Sequence, residues 1–156
     1  MRKGFSLIEL LVVVAIISIL LAFIFPRVDQ ARIKAQDVAI KANLDSVKTS
    51  AEFFYNTYSG YGAMPANYGS STCDAQFFSY GPIYNAIIAS EKVTGSSALC
   101  IVADSVNLSV KANSWALSVP LRSDPQKSWC VDSHGYFDEA HASYDGPTNT
   151  ALCSNS

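Results

Sequence analysis

The chain has 156 residues, enough for one ordinary domain with an appendage, and 49% of them are hydrophobic whereas only 15% are charged. The formal net charge of −2 gives no indication of a nucleic-acid-binding protein. The charge is unevenly distributed, because residues 4–26 carry a single charged side chain, Glu9, whereas residues 60–156 carry a net charge of −4.

An almost uninterrupted apolar segment of 21 residues runs from Phe5 to Phe25. As an α-helix it would be roughly 31 Å long, close to the thickness of a bilayer core, so we predict a membrane-spanning helix. The core helix of a soluble protein rarely stays apolar around its whole circumference for this length. A secretory signal peptide would carry a small-residue cleavage site after the apolar segment, and Phe25-Pro26-Arg27 does not resemble one.

A helical pattern continues over residues 27–58, with two apolar stripes. The first stripe has spacings of three, four and seven residues and is predicted to pack on a head domain; it comprises Ile33, Ile40, Leu44, Val47, Ala51, Phe54 and Tyr58. The second stripe consists of small residues on an adjacent face, left for contacts with other helices: Val28, Ala31, Ala35, Val38 and Ala42. Three i,i+4 pairs of opposite charge are predicted at exposed positions: Asp37/Lys41, Lys41/Asp45 and Lys48/Glu52.

The length of the helix and its proline both have consequences. If all of residues 5–58 are helical, they span about 81 Å, too long for the remaining residues to cover, so the N-terminal half must be buried in lipid or against sister helices. Pro26 lacks an N–H and clashes with the carbonyl of Ala22, so we predict a kink or local loosening there. The alternative is a helix that starts afresh at Pro26, which suits proline equally well.

Residues 59–156 are predicted to form a small head with an antiparallel sheet, which makes the chain an α+β protein. Glycines and a proline end the long helix, and a loop leads to about Tyr80. A short helix follows at Pro82–Lys92, and the predicted strands are Ala98–Ala103, Ser114–Leu121, Ser128–Val131 and Tyr136–Phe137. The second strand alternates as a half-buried strand does, and Ser133-His134-Gly135 is predicted as a hairpin turn. Residues 138–156 lack periodicity and are predicted to be a surface loop.

The basic residues Arg2 and Lys3 favour a cytoplasmic N-terminus, which leaves the rest of the chain outside the cytoplasmic membrane. All four cysteines lie in that exported part, where an oxidising compartment favours two disulfides. Three connectivities are possible. The sequence-local pairs are favoured, namely Cys73 with Cys100 and Cys130 with Cys153.

Patterns for catalysis or ligand binding are nearly absent. The chain has no nucleophile elbow and no glycine-rich phosphate loop, so we predict neither enzyme activity nor a cofactor. The histidines, His134 and His141, have the character of chance surface residues. No metal site is predicted, although four residues near the C-terminus could supply oxygen ligands to calcium without matching an EF-hand: Asp138, Glu139, Asp145 and Asn149.

The sequence KGFSLIEL at residues 3–10, followed by the apolar segment, resembles the type IV prepilin signature. That signature has a short basic leader, a glycine at the cut, a phenylalanine, a serine or threonine, an aliphatic pair, a glutamate and a continuous apolar helix. Pilins and the pseudopilins of secretion and competence systems share it. The resemblance implies the pilin fold, with a leader at 1–4, a transmembrane and polymerisation helix at 5–26, an amphipathic half at 27–58, and a globular head with a C-terminal disulfide loop at 59–156.

The resemblance also implies roles for individual residues. A membrane-embedded prepilin peptidase would cleave between Gly4 and Phe5 on the cytoplasmic side and methylate the new amino group of Phe5. Glu9 would face the N-terminal ammonium of a neighbouring subunit during assembly. These roles suit the residues, because glycine leaves the backbone open to a protease and a carboxylate in a membrane helix needs a cation or a helix N-terminus to offset its cost. Many pilins carry a proline at the position that corresponds to Pro26. The resemblance implies that the helix can unwind locally at this proline in the fibre.

The function that the resemblance implies is a structural subunit of a type IV pilus. The implied partners are other pilin subunits, prepilin peptidase, the pilus assembly platform with its ATPase, and membrane lipid before assembly. The implied location is the cytoplasmic membrane as a single-pass protein, and afterwards the extracellular fimbrium. Two alternatives stay open: a pseudopilin of a type II secretion or competence DNA-uptake system, and a minor tip pilin acting as an adhesin. The acidic head argues against direct nucleic-acid binding.

Overall fold

The computed structural model describes residues 6–62, 73–103, 112–145 and 150–155. A long helix, α1 at Leu7–Tyr58, is followed by small antiparallel sheets, so the predicted α+β class is confirmed. The chain divides into two compact units, and the boundary lies between Ala35 and Gln36. Helix α1 contributes residues to both units. Because α1 is continuous through residue 26, the alternative of a helix that begins at Pro26 is wrong. The kink at Pro26 stays a prediction.

The second unit holds the rest of the described elements. Helix α2 covers Gly81–Thr94, and six strands follow: β1 at Leu99–Val102, β2 at Trp115–Pro120, β3 at Ser128–Asp132, β4 at Phe137–Glu139, β5 at His141–Asp145 and β6 at Thr150–Ser154. Strands β1-β2-β3-β4 form one antiparallel sheet in sequence order, and β5-β6 form a separate hairpin. The predicted short helix and four strands are all present, with ends that agree to within two residues.

Two glycines allow the chain to turn within this unit. Gly95 ends α2 with a φ of 74° and donates its N–H to the carbonyl of Glu91 at 2.7 Å. Gly135 has a φ of 92° in the turn between β3 and β4, where the sequence predicted a hairpin turn. Both angles lie in the left-handed region, which glycine adopts without a steric penalty.

One face of the four-stranded sheet packs against the helices. Five of the seven residues of the first apolar stripe of α1 are buried there as predicted, namely Ile40, Leu44, Val47, Ala51 and Phe54. Ile33, the first member of the stripe, is only partly buried. These residues share a core with the alternate sheet residues Trp115, Leu117, Val119, Trp129 and Val131. Tyr58, the last member of the stripe, is 44% exposed, although its ring lies 4.5 Å from that of Phe54. The stripe therefore fixes the helix to the sheet, because each buried side chain contributes about 1.5–3 kcal/mol.

The opposite face of the sheet is covered by the β5-β6 hairpin, which contacts β1, β2 and β3. The prediction of a surface loop over residues 138–156 is therefore wrong, and so is the prediction that β2 is half-buried, because its first five residues are all buried. The cluster between the hairpin and the sheet is built largely of small side chains: Ala103, Ala116, Cys130, Ala140, Ala142, Ala151 and Cys153, with Ile101. Such residues allow two backbones to approach closely, but they give little hydrophobic periodicity in the sequence.

Three buried polar side chains satisfy backbone groups of the hairpin. The hydroxyls of Ser118 and Ser114 accept hydrogen bonds from the N–H groups of Ala142 and Ala151 at 3.1 and 3.0 Å. A carboxylate oxygen of Asp132 accepts the N–H of Cys153 at 3.0 Å. These donors would otherwise be buried without a partner, which costs about 1–3 kcal/mol for each group.

The structure joins Cys73 to Cys100 and Cys130 to Cys153, the pairing that the sequence favours. The Cα atoms are 5.1 Å apart in the first disulfide and 5.9 Å apart in the second. The first disulfide ties the chain before α2 to β1. The second ties β6 to β3 and holds the hairpin on the sheet.

The charged residues of α1 do not form the exposed pairs that the sequence predicted. Asp37 is buried, and its carboxylate accepts the N–H groups of Arg122 and Ser123 at 2.7 and 3.3 Å. The Lys41 ammonium lies 3.8 Å from the centre of the Trp129 ring. The Lys48 ammonium lies 5.2 Å from the centre of the Phe137 ring. The i,i+4 spacing considers only residues of the same helix. In the folded protein the sheet supplies other partners, namely backbone N–H groups for Asp37 and aromatic rings for the two lysines.

Candidate functional site

The most unusual surface of the described chain is the N-terminal part of α1. All fifteen large apolar side chains between Leu7 and Phe25 are exposed, with exposed fractions of 43–79%. Among the described residues, α1 contains the one segment that is long and apolar enough to cross a membrane, and none of that segment is buried. At about 1.5 kcal/mol for each side chain, leaving this surface in water would cost on the order of 20 kcal/mol. The segment therefore needs lipid or other protein surfaces around it.

Glu9 is the sole charged residue of this segment, and it lies in the first turn of the helix. Its Oε2 atom accepts the backbone N–H of Ser6 at 3.0 Å. The carbonyl of Ser6 in turn accepts the N–H groups of Glu9 and Leu10 at 3.1 and 3.4 Å. The carboxylate thus pairs with a donor at the positive end of the helix, which lowers the cost of an acid in an apolar segment.

Sequence reasoning missed the role of Ser6 in this arrangement. Ser6 immediately precedes the helix, and Glu9 is its third residue. The pattern Ser6-Leu7-Ile8-Glu9 before an apolar run is the signature of a capping box, so the signal was present in the sequence. Gly4 and Phe5 lie outside the described residues, and the cleavage between them stays a prediction.

The small-residue stripe of α1 forms a second exposed surface. Val28, Ala31, Ala35, Val38 and Ala42 are all exposed. Small side chains along one helix face allow a neighbouring helix to approach closely. The packing of this stripe on other helices stays a prediction.

The calcium candidates near the C-terminus are not gathered into a site. Glu139 forms an ion pair with Lys127 at 2.9 Å, and this hydrogen bond raises the pKa of Lys127. Asp138 accepts the N–H of Glu139 at 2.8 Å, and Asn149 lies outside the described residues. Within the described ranges, no group of three or more His, Cys, Asp or Glu side chains is close enough to hold a metal ion. The Nδ1 atom of His134 lies 3.5 Å from the hydroxyl of its neighbour Ser133.

Comparison with known proteins gives two matches. Residues 1–25 match the family described as the prokaryotic N-terminal methylation motif. Over 90 residues, half of the chain, the sequence is 37% identical to the type IV wide pilus major component PilA4 of Thermus thermophilus, and the match covers 69% of that protein. Solved structures give no significant match.

Proposed function

We infer that this chain, which belongs to the type IV pilin family, is a structural subunit of a type IV pilus. The observation that carries this function is the exposed apolar surface of α1 between Leu7 and Phe25. Lipid covers this surface in the single subunit, and the same surface on sister helices covers it in the filament. Extraction from the bilayer is then coupled to assembly, because the helix exchanges one apolar environment for another.

We further propose that maturation creates the partner of Glu9. Prepilin peptidase cleaves after Gly4 on the cytoplasmic side and methylates the amino group of Phe5. Cleavage removes Arg2 and Lys3 and places an ammonium four residues before Glu9. The match of residues 1–25 to the methylation motif supports this step.

The hydrogen bond between Glu9 and Ser6 suggests how the carboxylate is stabilised both in the single subunit and in the filament. In the single subunit Oε2 is held by the Ser6 N–H, whereas Oε1 has no partner among the described residues. In the filament Oε1 receives the N-terminal ammonium of a neighbouring subunit. The carboxylate is thus already oriented at the helix N-terminus when the ammonium arrives, which reduces the ordering required on assembly.

The remaining partners and the topology follow from the same proposal. The precursor is a single-pass protein of the cytoplasmic membrane with its N-terminus in the cytoplasm. The assembly platform and its ATPase extract it, and the head is displayed on the extracellular filament. Both disulfides lie in the exported part, which supports this orientation.

The test is to shear the cell surface, collect the filaments and determine the N-terminal mass of the subunit. We expect the chain to be abundant in this fraction, to begin at Phe5 and to carry one methyl group. If the chain stayed with the cell envelope while other filament proteins were sheared off, a pseudopilin would be the better assignment. A stable, detergent-free monomer with Met1 still attached would contradict the proposal altogether.

A further inference from the structure

A cleft of about 400 Å³ lies beside α2 on the second unit. Three apolar residues of α2 line it: Ile87, which is buried, and Tyr84 and Ile88, which are 49% and 42% exposed. Tyr84 and Ile88 are one helical turn apart on the same face, whereas the side chains of Ile83 and Ile87 next to them belong to the core. The outward face of α2 therefore offers an aromatic ring and an aliphatic side chain that the fold itself does not use.

The cleft also has two acidic side chains, Asp74 and Glu91, in its lining. One oxygen of Glu91 accepts the N–H of Ala98 at 2.7 Å, and the other has no partner among the described residues. Asp74 is exposed and likewise has no side-chain partner within the described ranges. No basic side chain of the described residues lines the cleft. Apolar walls with unpaired carboxylates suit the side chain of lysine or arginine, whose stem is apolar and whose tip is cationic.

The chain itself contains a matching basic segment, just after the apolar part of α1. Residues 27–35 contain Arg27, Arg32 and Lys34 against Asp29, a net charge of +2. Residues 36–156 contain six basic and eleven acidic residues, a net charge of −5. Arg27 and Lys34 are seven residues apart, so they lie on one face of the helix about 10 Å from each other along its axis. Both are exposed, and neither is in an ion pair in the described structure.

We propose that the cleft beside α2 in one subunit binds Arg27 and Lys34 of a second copy within the filament. This inference rests on the proposed function, since the filament is what brings many copies together in a fixed register. This contact adds a head-to-helix interface to the contacts between α1 helices. Its opposite charges fix the position of one subunit relative to the next along the filament. An exposed ion pair alone contributes little, but the filament repeats the contact at every subunit.

Charge reversal tests the proposal in cells that make the filament. We expect Asp74→Lys and Lys34→Glu each to lower the yield of sheared filaments at least fivefold, and the double variant to restore it to within twofold of wild type. The matched control is Asp138→Lys, which reverses an exposed acid on β4, outside the cleft, and should change the yield less than twofold. Immunoblots of the membrane fraction establish that every variant is made. A double variant no better than the single ones would overturn the proposal.

A photocrosslinker at position 84 gives an independent readout. Tyr84→p-benzoylphenylalanine, irradiated in intact filaments, is expected to form an intermolecular link to the peptide that contains residues 27–34. A link to any other segment would overturn the proposal and leave the pilus assignment intact, whereas a wild-type chain that forms no filament would refute the pilus assignment itself. If Lys34→Glu lowered the membrane level of the subunit and Asp74→Lys had no effect, the basic segment would serve lipid headgroups instead, and the proposal would be wrong.

Discussion

Replacement of Asp132 by asparagine is expected to destabilise the head strongly. Asp132 is 4% exposed, and its carboxylate accepts three backbone N–H groups. Oδ1 binds those of His134 and Tyr136 at 2.9 and 3.0 Å, within the turn that joins β3 to β4. Oδ2 binds that of Cys153 at 3.0 Å, in β6. One side chain therefore holds both the turn and the hairpin that covers the sheet.

The magnitude follows from this geometry. Asparagine has one side-chain oxygen, so in either orientation at least one buried N–H loses its acceptor, at about 1–3 kcal/mol. The hydrogen bonds that remain lose their charge and become roughly half as strong. The sum is a loss of about 3 kcal/mol in the free energy of unfolding, a large part of the roughly 5–15 kcal/mol of a typical domain.

The measurement is urea unfolding of the full chain in a non-denaturing detergent with its disulfides intact. Fluorescence reports on the head, because Trp115 and Trp129 are both buried in its core. The matched control is Asp138→Asn on the adjacent strand. Its exposed carboxylate accepts one N–H, which an amide oxygen can also accept, so a change of at most about 0.5 kcal/mol is expected. An Asp132→Asn variant within 0.5 kcal/mol of wild type would refute the role of the buried carboxylate.

Four further predictions concern maturation, assembly and the head. Glu9→Val should leave a processed subunit in the membrane and lower the yield of sheared filaments at least tenfold; fibres in wild-type amount would rule out the ammonium pairing. Gly4→Leu should block cleavage because a bulky side chain obstructs the protease, so normal maturation by mass spectrometry would remove the proposed cut. Lys41→Met should cost about 1 kcal/mol of unfolding free energy, because the 3.8 Å contact with the Trp129 ring loses its cation; an unchanged urea midpoint would contradict this. Burial raises the pKa of the Tyr61 phenol above its ordinary 10.0, so the contribution of Tyr61 to the unfolding free energy should be constant below pH 10 and fall as the pH rises from 10 through the folded-state pKa. Tyr61→Phe should remove that part of the decline, and an identical pH profile for the variant would count against it.

The sequence by itself determined the features that depend on one-dimensional periodicity. The apolar segment that ends at Phe25 is predicted to be a helix in an apolar environment, because the rest of the chain is too small to cover it. The stripe from Ile40 to Phe54 is buried as its spacing predicts, since a helix brings residues three and four apart to one face. Local separation of the cysteines was sufficient to favour the two disulfides that the structure contains.

Only the tertiary structure decided which residues distant in the sequence pack against each helix or strand and form its hydrogen bonds. The β5-β6 hairpin is hidden in the sequence because Ala142 and Ala151 are buried by close approach of two backbones, which requires small residues and gives no hydrophobic alternation. From the sequence, Asp132 and Asp37 would be expected at the surface, because aspartate is usually exposed. They are buried because backbone N–H groups from distant parts of the chain donate hydrogen bonds to their carboxylates. Periodicity specifies which face of an element is buried, whereas the partner of a polar side chain depends on residues brought together by folding.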